Sequence, residues 1–158
     1  VDFTSTDKMC VFAGVHKASD VGIGVLAETS TGALSGSFWL SVPATVGGPN
    51  VLFQSKGTIE KWAATSSLAA PLTRVVTGVG DISGDRVTLR LNGTQTSQDA
   101  TDQGTGNYGN YPLYIGRRNN ASLPFNGRIY QLAIKGKALS AAEIATVESY
   151  INSKTKAF

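Results

Sequence analysis

From residue 1 to about residue 136 the apolar side chains recur in short alternating runs, each closed by Gly, Pro, Asn or Asp. A period of two sends successive side chains to opposite faces of an extended chain, so the pattern restricts this stretch to β-sheet. It predicts strands at Met9 to His16, Gly24 to Glu28, Ser37 to Val42, Asn50 to Ser55, Leu72 to Val79, Arg86 to Leu91, Leu113 to Gly116 and Arg128 to Lys135. The clearest run sets Val87, Leu89 and Leu91 on one side and Thr88, Arg90 and Asn92 on the other. It ends in Asn92-Gly93, a dipeptide that supplies the positive φ angles of a type I′ hairpin turn. Many short strands without intervening helices make an antiparallel sandwich or barrel.

The final segment changes period. Ser140 stands three residues before Glu143, the spacing at which the hydroxyl caps the third helical N–H and the carboxylate returns the bond. Leu139 and Ile144 are placed as a hydrophobic staple, while Ile144, Val147 and Ile151 form one apolar stripe. Lys154 and Lys156 fall near the negative end of the dipole. A helix over about 140–153, lying on the sandwich through that stripe, is expected to end the domain. Neither a linker nor a repeat interrupts the chain. The Gly- and Ser-rich stretch from Thr29 to Gly36 is short enough for a hairpin loop, and the longest loop runs from Asp99 to Asn110.

Composition narrows the function classes. A mass of 16.5 kDa implies a folded surface of about 7,500 Å² against roughly 24,000 Å² unfolded, so residues 1–158 form one domain with a real core. With 41% hydrophobic and only 16% charged residues, the chain is not disordered. No apolar run reaches the roughly 18 residues of a spanning helix, so no membrane insertion is expected. The net charge of +3 is scattered rather than gathered in a stripe, which argues against nucleic acid as a partner. Cys10 is alone, and with Val11 and Phe12 beside it reads as a small buried apolar residue. The start at Val1, with no targeting signal, suggests a piece of a longer protein.

Four segments in order carry a family resemblance: Arg86-Val-Thr-Leu-Arg-Leu-Asn-Gly93, Leu113-Tyr-Ile-Gly116, Phe125-Asn-Gly-Arg-Ile-Tyr-Gln-Leu-Ala-Ile134 and Ala138-Leu-Ser-Ala-Ala-Glu-Ile144. Together they resemble the second half of the concanavalin A-like lectin/glucanase superfamily, in its laminin G-like and pentraxin-like branch. The resemblance covers about residues 72 to 153 and implies an antiparallel β-sandwich of the jelly-roll type with a short C-terminal helix. Asp7 to Lys17, Asp20 to Glu28 and Asp102 to Arg118 look like versions carried by tailed-bacteriophage tail, fibre or other virion proteins, where such modules usually sit at the C-terminal end. Relatives commonly carry one more strand before the position of Asp2. Its lack here predicts that Val1 to Thr6 either lies against another copy, in a homo-oligomer, or is irregular.

Retaining glucanases need two carboxylates about 5 to 5.5 Å apart, which a strand supplies from alternate positions, and no such pair occurs. Glu143 and Glu148 belong to the helix, and Asp81 and Asp85 flank a turn whose aspartates bond their own backbone. His16 is the only histidine, so a serine triad has no second candidate base, and it reads as a solvated or packed imidazole. Gly104-Thr-Gly-Asn-Tyr-Gly109 matches a dinucleotide fingerprint but leads to Pro112 and a strand, not a helix. No catalytic residue and no obligatory cofactor is expected. Calcium is the one metal worth testing, because lectins of the superfamily often use it: Asp99 and Asp102, or Asp81 and Asp85, can offer hard oxygen ligands, with turn-forming Asx roles as the alternative.

Sugar binding needs a flat aromatic face with a few planar amides, carboxylates or guanidinium groups beside it. The loop from Asp99 to Tyr111, followed by Arg117, Arg118, Asn119 and Asn120, contains all of these. Tyr108 and Tyr111 are the expected stacking platforms, with Asn107, Asn110, Asp102, Arg117 and Arg118 as polar partners. On this reading Tyr108→Ala and Arg117→Ala would weaken binding at little cost in packing. Trp39 lies opposite Phe38, Leu40 and Val42 and is expected to be exposed, whereas Trp62 fits either a surface ring or a core plug. The resemblance thus implies a non-catalytic, lectin-like carbohydrate-binding module of a phage virion or tail protein that attaches to host cell-surface glycan. The rivals are a structural virion module contacting other virion proteins without sugar, and a glycoside hydrolase. The expected location is the virion, otherwise extracellular.

Overall fold

The structure, a computed structural model, describes residues 1–45, 48, 50–66, 68–119 and 122–158. Ten strands occupy Lys8–Lys17 (β1), Val25–Thr29 (β2), Phe38–Ser41 (β3), Val51–Lys56 (β4), Glu60–Thr65 (β5), Leu72–Asp81 (β6), Arg86–Leu91 (β7), Thr94–Asp99 (β8), Leu113–Ile115 (β9) and Gly127–Lys135 (β10), and one helix occupies Ala141–Thr155 (α1). They form two antiparallel five-stranded sheets, β10-β1-β6-β7-β8 and β5-β4-β3-β2-β9, stacked as a sandwich.

Alternation decides what fills the space between them. Met9, Val11, Ala13 and Val15 of β1 join Phe38, Leu40, Phe53, Val76, Val87 and Leu89 in one buried cluster. The intervening Cys10 and Phe12 point the other way and pack with Val75 against Ile144 and Ile151 of α1. β1 is therefore covered on both faces, and burial pushes the Cys10 thiol up to about 11. The helix begins as expected: the Ser140 hydroxyl accepts from the Glu143 N–H, and the Glu143 carboxylate accepts from the Ser140 N–H at 2.8 Å. Burying Ile151 completely stabilises the docking by about 1.5–3 kcal/mol. Arg90 reaches from β7 to the buried Glu148 through two bonds of 2.8 and 3.0 Å, adding a polar tie to the helix.

Two strands were missed by the periodicity. β5 and β8 are edge strands, one in each sheet, and the sequence Thr94-Gln-Thr-Ser-Gln-Asp99 has no apolar residue to alternate. Only the hairpin dipeptide announces β8: Asn92 and Gly93 take φ of 49° and 80°, and Leu91 pairs directly with Thr94.

The N-terminal segment is irregular, yet it is paired. Phe3 donates to the Gly109 carbonyl, the Tyr111 N–H donates to Val1, and the Tyr108 N–H donates to Thr6. Of the two expected outcomes for Val1 to Thr6 the segment shows the irregular one, and its backbone bonds go to the chain's own loop at residues 108–111. The helix packs on the outer face of the first sheet. Among the described residues no such helix lies on the second, and no helix is long and apolar enough to cross a membrane.

Candidate functional site

The loop from Asp99 to Tyr111 is the binding surface the sequence predicts, and the structure turns its central residues inward. Tyr108 is 1% exposed and belongs to the inter-sheet core, its hydroxyl 2.6 Å from Ser55 Oγ. Burial raises its phenol pKa. It cannot be a stacking platform, because no face of the ring reaches solvent. A glycine-rich polar loop hid this: of its two tyrosine rings, Tyr108 is the plug that fixes it. Gln103 is also buried, donating from Nε2 to the Asp81 carbonyl. Tyr111 is half-buried, with its hydroxyl given to the Ser35 carbonyl at 2.8 Å, and Asn107 gives its amide to the Thr4 carbonyl at 2.7 Å. Gly36 makes the close approach possible: φ there is +75°, and a Cβ would stand 2.5 Å from the Asn107 carbonyl oxygen. Asn110 is exposed and meets Asp2 through a backbone bridge.

The aspartates proposed for calcium are employed locally. Asp81 accepts from Lys8 and the Gly84 N–H, Asp85 from the Gln103 N–H, Asp99 from Thr101 and Asp102 from the Gly104 N–H. The Thr101 hydroxyl and N–H hold the Asp99 carboxyl below its ordinary range. Among the described residues no three His, Cys, Asp or Glu side chains converge as a metal site. The bonds of Asp81 to Gly84, Asp99 to Thr101 and Asp102 to Gly104 are turn-stabilising Asx contacts, whereas Asp85 ties its turn to the distant Gln103 backbone.

A different constellation lies on the outer face of the second sheet. Register places Tyr114 opposite Glu28, Glu28 opposite Trp39, Trp39 opposite Gln54 and Gln54 opposite Trp62. Five residues from β9, β2, β3, β4 and β5 therefore form one row across the whole sheet. Directly opposed antiparallel residues share a face, so all five point away from Phe38, Leu40 and Phe53. Trp62 ends the row 52% exposed, a surface ring rather than a core plug. It stands two strand spacings, about 10 Å, from Trp39.

Arg118 completes the row from above. A short turn, in which its N–H and carbonyl both bond Ser122, presents the side chain. Its Nε and Nη2 bind the Glu28 carboxylate at 2.7 to 3.0 Å, and its Cζ lies 5.0 Å from the centre of the Trp39 ring. Trp39 faces outward as expected but is only half exposed, because this guanidinium covers it. Its indole N–H finds no acceptor among the described residues. Glu28 is fully buried, and Gln54, 4% exposed, gives its amide to the Gly32 carbonyl at 2.8 Å. Of the residues expected at the site, only Trp39 and Arg118 meet here. Arg117 is exposed and Asn120 lies outside the described residues. Glu28, Gln54, Trp62 and Tyr114 were missed; their signal was polar or aromatic residues at the outward positions of otherwise apolar strands.

A two-sheet jelly roll whose free outer face carries a row of aromatic, amide and ion-paired groups has the architecture of a lectin-like sandwich. A laminin G family model, described as the concanavalin A-like lectin/glucanases superfamily, matches residues 14–145, and the chain belongs to that superfamily. No curated protein sequence matches it significantly. Among solved structures it is similar to the CBM40 of Ruminococcus gnavus IT-sialidase bound to alpha2,3 sialyllactose, with a TM-score of 0.68 and 16% identity over 90% of this chain and 83% of that one. It is similar also to domains LG4-5 of the mouse laminin alpha1 chain, with a TM-score of 0.65 and 16% identity over 84% of this chain and 36% of that one. A third is the binding domain of botulinum neurotoxin DC in complex with SialylT, with a TM-score of 0.65 and 11% identity over 94% of this chain and 36% of that one.

Proposed function

We propose that this chain is a non-catalytic carbohydrate-binding module and that its site is the outer face of the β5-β4-β3-β2-β9 sheet. The observation that carries the reading is the row Tyr114, Glu28, Trp39, Gln54 and Trp62 with Arg118 over it. The exposed indole of Trp62 offers a flat apolar face to a pyranose ring, and the neighbouring groups offer planar hydrogen-bonding edges. Two of the similar structures are complexes, one with alpha2,3 sialyllactose and one with SialylT, which supports carbohydrate as the class of partner. Catalysis is disfavoured because the row holds one carboxylate, and its oxygens are already bound by a guanidinium. The setting we propose is a tailed-phage virion, as the C-terminal module of a longer tail protein attaching to host surface glycan. That setting rests on the resemblance of Asp7 to Lys17, Asp20 to Glu28 and Asp102 to Arg118 to phage-borne versions.

A glycan array with the purified chain tests the reading. Saturable binding that Trp62→Ala weakens at least tenfold, with the melting temperature unchanged, is expected. Binding that is indifferent to Trp62→Ala would move the site elsewhere, and release of reducing ends from a bound glycan would overturn the non-catalytic assignment.

A further inference from the structure

We infer that the site selects uncharged sugars and rejects those carrying a carboxylate, an inference that rests on the sheet-face site proposed above. Recognition of a sugar acid draws its strength from a guanidinium or ammonium whose charge is free to meet the carboxylate through charge-assisted bonds. The cation that the row presents is Arg118, and its charge is already answered within the protein. Nε and Nη2, two donors of the fork that would grip a sugar carboxylate, are held by Glu28 in three contacts of 2.7 to 3.0 Å. Glu28 is wholly buried while Arg118 keeps a quarter of its side chain exposed. An incoming acid would therefore meet a neutral pair with a carboxylate fixed beneath it.

The next cation along the same face is cancelled too. Lys56, one outward step along β4 from Gln54, donates to the Ala33 carbonyl at 2.7 Å and stands 3.9 Å from Glu60. What remains for a ligand carries no net charge: the Trp62 ring, the Tyr114 hydroxyl, and the Nη1 N–H groups of the Arg118 guanidinium that Glu28 neutralises, which donate to no described residue. These suit hydroxyl and ring-oxygen recognition with an aromatic platform. Arg117 precedes this pair in the chain and forms no ion pair among the described residues, so it is the residue to control for.

The test uses immobilised glycans in matched pairs that differ only by a carboxylate, namely asialo and sialylated oligosaccharides, and glucose and glucuronate oligomers. Wild type is expected to bind neutral members at least tenfold more tightly than their acidic partners, with little change between 50 and 500 mM NaCl. Glu28→Gln keeps the shape of the acceptor and unmasks the guanidinium charge. It is expected to narrow the gap by at least fivefold through a salt-sensitive gain on the acidic members. Equal or preferred binding of acidic glycans by wild type overturns the inference while leaving the carbohydrate reading intact. Acidic binding that disappears in Arg117→Ala overturns it as well, by assigning the free cation to the ligand. An array on which no glycan binds removes both.

Discussion

The loop at residues 100–112 and the outer face of the second sheet are opposites in what they look like and what they do. The loop has the composition of a binding loop, rich in Gly, Asn, Asp and Tyr, yet its tyrosines and amides are consumed in holding the molecule together. The face is assembled from single residues that look unremarkable in their own strands, yet register lines them up across five strands. Polar side chains in a loop have nearby backbone to satisfy them, and do so. On a sheet face the strands' own bonds lie in the plane of the sheet, so polar side chains there turn to one another, as Arg118 and Glu28 do, or to a loop that crosses the face, as Gln54 does with the Gly32 carbonyl.

Breaking the loop should have the largest effect. Tyr108→Ala is expected to lower stability by about 3–5 kcal/mol, because it empties a core position and orphans the Ser55 hydroxyl. Tyr108→Phe should lose about 1 kcal/mol, for the hydrogen bond alone. Urea unfolding measures both, and a Tyr108→Ala protein as stable as wild type would restore the exposed-loop reading. On the face, Arg118→Ala leaves the buried Glu28 carboxylate without its partner and is expected to cost about 3 kcal/mol. The double variant Arg118→Ala with Glu28→Ala should be less destabilised than the sum of the singles in a double-mutant cycle.

Acid should weaken the contacts that Asp7 makes at the start of β1. Asp7 bonds Lys8 at 2.8 Å and the Ser83 N–H at 3.3 Å, and the Lys8 ammonium in first place holds its carboxyl down to about 2. A carboxyl depressed in the folded state contributes stability above its unfolded value near 3.8, and that contribution fades as pH falls towards 2. Melting temperatures should therefore drop between pH 4 and pH 2, and Asp7→Asn should lower the pH 5 value while flattening that fall. An equally steep fall in the variant would place the acid-labile group elsewhere. The smallest expected effects are at Arg117→Ala and Asn107→Ala, both exposed: stability within about 0.5 kcal/mol and glycan binding unchanged. Loss of binding in either would return the site to the loop.

The strand alternation, the Asn92-Gly93 turn and the Ser140 capping box were legible because each depends on residues within a few positions of one another. So were the buried Cys10 and the turn role of Asp81, which follow from immediate neighbours, whereas the partner of Asp85 is the Gln103 N–H, 18 positions away. The edge strands β5 and β8 escaped because an edge needs no apolar face, and sequence periodicity reports only burial. The site escaped for a deeper reason. Glu28, Trp39, Gln54, Trp62, Tyr114 and Arg118 span 91 positions of sequence, and only inter-strand register brings them into a single row. By itself the sequence determined eight of the ten strands, the helix with its docking stripe and the class of fold, all set by local spacing and side-chain polarity. Only the tertiary structure decided that Tyr108 is core and that Arg118 spends its charge on Glu28, because a side chain's role is fixed by whichever partner the fold places nearest.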